Sequence, residues 1–304
     1  MPSPIEEIIA NLSNSKLLSS SRLAELSNLN PEELAILEQV WATIEPKRRR
    51  QIVSQLVRLA ENDFELNFDS IFKNCLKDKD AEVRSKAIEG LWENEEPSLI
   101  NPLINLLEQD GSEKVRAAAA TALGKFVILA ERKKLRSCHG AKVCQSLLAV
   151  ISDKSKPTEV KRRALEAAAP IRYPQVERAI LEAYQSSNPK LRVSSIYAMG
   201  KSYNPAWLPT LLKELASTDA EIRYEAATAC GELGEEEAVP QLIALVNDPD
   251  IDVQLTTIQA LGKIGGTEAK NCLEQCLDDP SEVIQQAAEQ ALQELELGEE
   301  PLSF

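Results

Sequence analysis

The sequence predicts an all-α fold, a right-handed solenoid built from antiparallel helix pairs. The first observation is a phrase of apolar, basic, small and glycine residues, clearest at 219–234, that recurs along the chain. The second is its spacing: successive copies lie 31 or 32 residues apart, except across one gap of 45 that holds a 14-residue insertion. The third is composition, because with only 4% aromatic residues the core must consist of Leu, Ile, Val and Ala. A repeat too short to bury its own apolar face is typical of a solenoid. The copies begin at Val83, Val115, Val160, Leu191, Ile222, Val253 and Ile284.

Composition and charge limit the partners and the compartment. Lys and Arg number 34 against 48 Asp and Glu, a net charge of -14, which repels phosphate backbones and predicts no nucleic-acid partner. No stretch approaches 18 apolar residues and the N-terminus lacks a targeting pattern, so we expect a soluble cytoplasmic protein without membrane insertion. The six cysteines are too few and too scattered for a disulfide framework, and we expect mostly reduced packing residues.

The chain before the repeats divides into two parts. Residues 1–29 are predicted to be a mobile segment with short helices, including an amphipathic turn set at 4–11 and a serine-rich linker at 13–21. Residues 30–61 are predicted to form N-terminal capping helices. Asn30 as N-cap and Pro31 at the first helical position start one helix, and Pro46 starts the next. The basic run 47–50 opposes the helix dipole, so it is either a solvated charge run or a functional feature.

Residues 62–295 are predicted to be the repeat array, followed by a C-terminal tail at 296–304. Each repeat has a first helix, a tight turn and a second helix whose positions 0, 4, 7 and 8 are small or apolar and buried. Gly262 is predicted to end a second helix, and the glycines at 262–266 are explained as left-handed caps. The insertion, at about 125–140, is expected to be a loop or an irregular helix extension, cut first by proteases near 132–136.

The repeat resembles HEAT repeats, and within them the bacterial phycobilisome-lyase HEAT-like group, over about residues 62–295. The resemblance rests on the first-helix proline and on a ladder of aspartate and arginine in which the acid precedes the base by six residues. Two second helices carry glutamine in place of the base, and three turns carry serine in place of the acid. The residues that match are Pro102, Pro209, Pro240, Asp78, Asp110, Asp248, Asp279, Arg84 and Arg116; the departures are Gln254, Gln285, Ser155, Ser186 and Ser217.

No motif for catalysis or metal binding is visible. His139 is the only histidine, and with Cys138 and Cys144 it supplies three donors at spacings unlike structural zinc sites. Cys272 and Cys276 lie four residues apart, which suits packing on one helix face. No phosphate-binding loop is present, and a serine–histidine–aspartate triad would need a nucleophile beside His139. We therefore expect no metal and no cofactor.

The best candidate site is the concave face, which the second helices of such an array line. Positions 2, 3 and 6 of each second helix should face solvent, and apolar or aromatic residues cluster there in the middle repeats. A register error of one position would instead place several of them between layers. The candidate partner-binding residues are Arg162, Arg163, Val193, Tyr197, Tyr224 and Leu255.

The leading hypothesis is a non-catalytic scaffold whose concave face binds an unidentified protein or peptide. The alternative, implied by the resemblance, is a chromophore lyase or isomerase acting on a bilin or another tetrapyrrole, with Arg162 and Arg163 binding its propionates. Resemblance to the di-iron HEAT-repeat hydroxylases that modify a lysine fails because the chain has no His-Glu pair. Resemblance to HEAT-like DNA glycosylases conflicts with the net charge.

Overall fold

A computed structural model describes residues 4–13 and 19–299. The chain forms two compact units, unit 1 (Met1–Ser146) and unit 2 (Leu147–Phe304), and the boundary falls inside one helix. Within the described ranges every regular element is an α-helix or a short 3-10 turn, so the predicted all-α solenoid of helix pairs is confirmed. None of these helices is long and apolar enough to cross a bilayer.

Unit 1 pairs its helices along the chain, and the second helices α4, α6 and α8 pack against one another in sequence. Its helices are α1 (Pro4–Asn11), α2 (Ser20–Ala24), α3 (Pro31–Trp41), α4 (Pro46–Asn62), α5 (Asp69–Cys75), α6 (Ala81–Gly90), α7 (Ile100–Gln109), α8 (Glu113–Glu131) and the first part of α9 (Ser137–Ser152).

The predicted starts of α3 and α4 are confirmed. Asn30 forms a complete capping box with Glu33, and Pro31 and Pro46 occupy the first turns of their helices. Helix α1 begins at Pro4, as the amphipathic pattern predicts. Residues 14–18 of the serine-rich stretch lie outside the described residues. The mobility of 1–29 and the other domain boundaries stay predictions, although α18 continues the helix past 296 to Glu299.

The basic run at the start of α4 is part of the packing, so the solvated-charge interpretation is wrong for two of its members. Arg49 is buried; it donates to the Ile44 carbonyl at 2.7 Å and to Asp78 Oδ1 at 3.2 Å. Arg50 binds both carboxylate oxygens of Asp80, at 2.9 and 2.6 Å. The dipole penalty is therefore offset by ion pairs with the turn before α6.

The ladder that the resemblance implies joins neighbouring helix pairs. Arg84 donates from Nε and Nη2 to the two oxygens of Asp110, each at 2.7 Å, and from Nη1 to the Asp78 carbonyl at 2.7 Å. The base therefore caps its own turn through a backbone carbonyl and binds the acid of the next turn. Arg49 and Asp78 add an earlier rung of the same kind.

The insertion is mostly helical. Helix α8 runs for 19 residues, compared with 14 in the second helices at 220–233 and 251–264, and ends at Glu131. An exposed connection follows, in which Lys133 adopts φ +59°, and α9 begins at Ser137. The expected irregular extension is therefore a regular helix with a short loop, because 125–131 continue the apolar period of α8. Early proteolysis at 132–136 stays a prediction.

Unit 2 continues the pattern with α10 (Thr158–Ala168), α11 (Pro174–Tyr184), α12 (Pro189–Lys201), α13 (Leu208–Glu214), α14 (Ala220–Leu233), α15 (Val239–Leu245), α16 (Ile251–Ile264), α17 (Thr267–Cys276) and α18 (Glu282–Glu299). Its second helices, α10, α12, α14, α16 and α18, pack in sequence against one another. In α14 the predicted positions 0, 4, 7 and 8 are all buried.

Glycine explains the close approach of these second helices, and one prediction about it is wrong. Gly262 does not end α16, which continues to Ile264. A Cβ on Gly231 would lie 2.8 Å from Cα of Ala260, and one on Gly262 would lie 2.8 Å from Cβ of Ala291. These two glycines allow close packing. Gly265, with φ +74° and ψ −156°, has a positive φ but is not the predicted left-handed cap, whereas Gly234, with φ +73° and ψ +18°, forms such a cap one repeat earlier.

Candidate functional site

The candidate site lies on the second helices of unit 2, at the positions that point away from the first helices. We call it the second-helix face and define it by Arg162, Tyr197, Tyr224, Glu225 and Leu255. These residues come from α10, α12, α14 and α16, which are neighbours in that order. The helices hold the side chains at fixed spacing because each helix repeats the same phrase and the same turn.

Three of the predicted residues reach the surface to different extents. Tyr224 is 39% exposed, and no described residue accepts a hydrogen bond from its hydroxyl. Tyr197 and Leu255 are half-buried. The Lys201 ammonium lies 5.9 Å from the Tyr197 ring centre, and burial raises the pKa of the Tyr197 hydroxyl. The exposed aromatic area on this face therefore centres on Tyr224.

Val193 is buried, with 5% of its surface exposed, so its assignment to the binding face is wrong. It occupies position 2 of α12, the position of Tyr224 in α14. Helix α12 lies between the second helices α10 and α14. A side chain as short as valine does not extend past a neighbouring helix and is therefore covered. A tyrosine at the same position extends beyond the neighbouring helix. Ser85 and Ala117, at position 2 in unit 1, are buried too.

Arg162 and Arg163 are held in place by a local ion-pair network. Arg162 donates to Glu159 at 2.8 Å and to Ser194 Oγ at 2.8 Å, and Ser194 donates to Glu166 at 2.6 Å. Arg163 binds Glu159 and Glu166, each at 2.9 Å. Both guanidinium groups are therefore already neutralised, which weakens the expectation that they bind the propionates of a tetrapyrrole.

Glu225 is the residue on this face that sequence reasoning missed. It is half-buried, and no described residue forms a hydrogen bond or an ion pair with its carboxylate. Burial, and then the charges of Glu166 and Glu221, raise its pKa to about 7, while Arg162 lowers it. Glu225 occupies position 3 of α14. It is the one acid at position 3 of the seven aligned second helices, and this is the sequence signal that distinguishes it.

A row of alternating charges borders the face near the ends of the second helices. Glu232 of α14 binds Lys201 of α12 at 2.9 Å and Lys263 of α16 at 2.6 Å. Next to the face, the Thr228 and Thr256 hydroxyls share a hydrogen bond at 2.9 Å. These contacts tie the three helices together at the edge of the candidate site. They leave Glu225 as the carboxylate of the face without a bound cation.

The cysteines and the histidine give no sign of a metal centre. All six cysteines are free thiols; Cys138 is exposed and the other five are buried. Burial raises the pKa of Cys276 to about 11, which keeps the thiol protonated. The parts of the chain that the structure describes hold no group of three or more His, Cys, Asp or Glu placed to bind a metal ion. The absence of a metal stays a prediction.

A family model described as HEAT repeats matches residues 69–158 and 208–293, which together are more than half of the chain. The chain belongs to the HEAT-repeat family. The resemblance to HEAT repeats, which rests on the first-helix proline and on the aspartate–arginine ladder, is therefore confirmed. The narrower resemblance to the phycobilisome-lyase group stays a prediction. No curated protein sequence matches this HEAT-repeat chain significantly.

Solved structures agree with this fold. Yeast importin-β is 13% identical with a TM-score of 0.57, and the match covers 96% of this chain but only 46% of importin-β. Importin-β in complex with Nup1 is 14% identical with a TM-score of 0.56 and the same coverage. Human deoxyhypusine hydroxylase is 19% identical over 96% of both chains, with a TM-score of 0.38. At these identities the likeness to importin-β supports the fold alone.

Proposed function

We propose that this HEAT-repeat protein is a non-catalytic scaffold that binds a protein or peptide segment on the second-helix face. The observation that carries the proposal is the exposed ring of Tyr224 on a rigid helix surface, flanked by the half-buried Tyr197 and Leu255. Exposed tyrosine on a rigid face is enriched at protein interfaces because it adds contact area at a small entropic cost. Importin-β in complex with Nup1 shows a similar fold in a protein complex.

Glu225 indicates the chemistry of the partner. A half-buried carboxylate without a cation has an unfavourable desolvation free energy, and a lysine or arginine side chain from a partner would offset it. Arg162, the nearby cation on this face, is already bound to Glu159 and Ser194. The net charge of -14 attracts a basic segment over longer distances. The proposed partner therefore carries a basic side chain next to an apolar one.

The test starts from a partner found by affinity purification and mass spectrometry, made recombinantly and titrated against the full chain. Tyr224→Ala should weaken binding by about thirtyfold, the effect of a hot-spot residue. Tyr173→Ala is the matched control, since Tyr173 is exposed but lies before the first helix α11. It should change the affinity less than about threefold, as expected outside an interface.

Two further measurements address the basic partner. Glu225→Gln should weaken binding, and wild-type affinity should rise between pH 6 and pH 8 as the Glu225 carboxyl loses its proton. Equal affinity of wild type and Tyr224→Ala for the purified partner would refute the proposed face. A partner that binds equally well to Glu225→Gln would refute only the basic chemistry.

A further inference from the structure

Tyr203 has a backbone conformation that its repeat position normally gives to glycine. Its φ is +49°, in the left-handed region. Gly234 and Gly265 occupy the same position in the next two repeats, with φ +73° and +74°. For a residue with a side chain this region costs roughly 1–2 kcal/mol, and glycine avoids that cost. A tyrosine here carries a backbone cost that glycine would avoid, which points to a use for its ring.

The Tyr203 ring contributes little to the stability of the fold. The Tyr203 side chain is 53% exposed, so its burial does not offset the backbone cost. Its hydroxyl donates one long hydrogen bond, 3.4 Å, to Glu232 Oε2. Glu232 is already bound to Lys201 and Lys263. Little stability would be lost by removing the ring.

The ring lines a cavity of about 260 Å³ in unit 2, which we call the Tyr203 pocket. Its floor is apolar and buried, formed by Ile171, Val176 and Ile180. Pro205, at the start of the turn before α13, adds a further apolar wall. The volume lies just below the roughly 300–1,000 Å³ of pockets for drug-sized ligands, which favours a smaller molecule.

One charged group at the rim, Arg172, has no partner within the described part of the chain and can pair with an anion. Arg172 is exposed, and no described residue forms a hydrogen bond or an ion pair with it. Glu177, the acid at the rim, accepts a hydrogen bond from Asn204 Nδ2 at 3.1 Å. The free group is therefore a guanidinium, whose planar fork matches a carboxylate.

We propose that the Tyr203 pocket binds a small monocarboxylic acid with an aromatic or branched apolar body. The body lies on Ile171, Val176 and Ile180 beside the Tyr203 ring, and the carboxylate pairs with Arg172. The left-handed backbone is retained because it holds the ring over this floor. This site is separate in its residues from the second-helix face, so it stands or falls independently of that proposal.

The test is a titration of the full chain with 3-phenylpropionate, followed by NMR or calorimetry. Saturable 1:1 binding is expected, weakened about tenfold for the uncharged analogue 3-phenylpropanamide and about tenfold by Arg172→Gln, because a charged hydrogen bond is lost. Arg178→Gln is the matched control, an exposed arginine of α11 that does not line the pocket. It should leave the affinity unchanged.

Tyr203→Gly separates a ligand role from a structural one. Glycine accepts the left-handed backbone, so the variant should keep or raise the melting temperature while losing about tenfold in affinity. A clear fall in melting temperature would show that the ring serves folding, and the proposal would be wrong. Absence of saturable binding of 3-phenylpropionate to wild type up to about 10 mM would also overturn it.

Discussion

Unit 1 and the C-terminal part of unit 2 join successive helix pairs by opposite means. In unit 1, buried guanidinium–carboxylate pairs reach from one pair to the next, as in Arg84 with Asp110. A buried pair of the same kind, Arg223 with Asp248, occurs in unit 2. At the last junction, between α16 and α18, Gln254 replaces the arginine and reaches only the Asp248 carbonyl of its own turn, at 2.6 Å. There the second helices touch through glycine, as in Gly262 with Ala291.

The difference teaches that repeats of the same sequence pattern can be joined either by an ion pair between two side chains or by a glycine that lets two helices approach closely. A charged ladder depends on the presence of both partners, because a carboxylate left alone in a buried site keeps its desolvation cost. A glycine contact depends on the absence of a Cβ, because tightly packed helices cannot accept one without moving. Removing atoms should therefore harm the junctions joined by a buried ion pair, and adding atoms should harm the junctions joined by a glycine contact.

The largest effect is expected from Arg84→Ala. The side chain of Asp110 is only 5% exposed, and loss of its cation leaves a buried, unpaired charge. The free energy of unfolding should fall by about 3–5 kcal/mol, measured by urea denaturation. Lys114→Ala is the control: its ion pair with Glu82 is exposed, so the change should stay within about 1 kcal/mol. Similar midpoints for the two variants would contradict the ladder argument.

The next effect is expected from Gly231→Ala. The new Cβ would lie 2.8 Å from Cα of Ala260, a backbone atom that cannot rotate away. We expect a loss of about 1–3 kcal/mol in the same measurement, despite the better helix propensity of alanine. Gly111→Ala, with no atom within 4 Å of the new Cβ, should be neutral or slightly stabilising. A stable Gly231→Ala variant would show that the helices have room to separate.

Glu225 contrasts with Asp110, since it is a half-buried acid without a bound cation. Its pKa is raised to about 7 in the folded protein, so folding favours the protonated form. This contribution to stability is fully present below about pH 4.5 and is lost as the pH rises through 7. Glu225→Gln should therefore stabilise the protein at pH 8 by on the order of 1–2 kcal/mol, after allowance for partial exposure.

The same variant should have no advantage well below pH 4.5, where the wild-type carboxyl is protonated in both the folded and the unfolded state. Glu237→Gln, at an exposed glutamate before α15, is the matched control and should show no comparable dependence on pH. Urea midpoints across the pH range make the comparison. A Glu225→Gln advantage that did not grow with pH would rule out the burial argument.

A smaller effect is expected from restoring a rung of the ladder in unit 2. Asp279 accepts the Ser281 amide at 2.8 Å, as Asp110 accepts that of Ser112, so its carboxylate is already oriented. Gln254→Arg should reach it and stabilise the protein by up to about 1 kcal/mol, because Asp279 is half-exposed. Gln259→Arg, at an exposed position of the same helix, controls for the added charge. Equal stability of the two variants would mean that no rung forms.

The smallest effect is expected from a chelator. Neither unit presents a closed ligand set in the residues that the structure describes. Excess EDTA should leave the melting temperature unchanged, since a structural metal would contribute its binding free energy to folding. A stoichiometric zinc content in the purified protein, or a lower melting temperature with EDTA, would disprove this expectation.

Most of the fold follows from local patterns in the chain. The starts of α3 and α4 follow from Asn30 and proline, because capping involves residues within one turn. The second-helix core follows from the 3.6-residue period. The same reasoning failed at Gly262, because glycine has two uses, a left-handed cap and a close helix contact. Sequence spacing alone does not say whether another helix lies against it.

The sequence by itself determined the repeat, its helix pairs and the family, because these depend on periodicity and on turn chemistry within about 31 residues. Only the tertiary structure decided which flank positions are exposed and which charged side chains lack an ion-pair partner. Val193 and Tyr224 share one position, yet one is covered and the other exposed, since exposure depends on side-chain length relative to a neighbouring helix. Arg162 is bound and Glu225 is not, because ion pairs form between residues that the stacking of helices brings together.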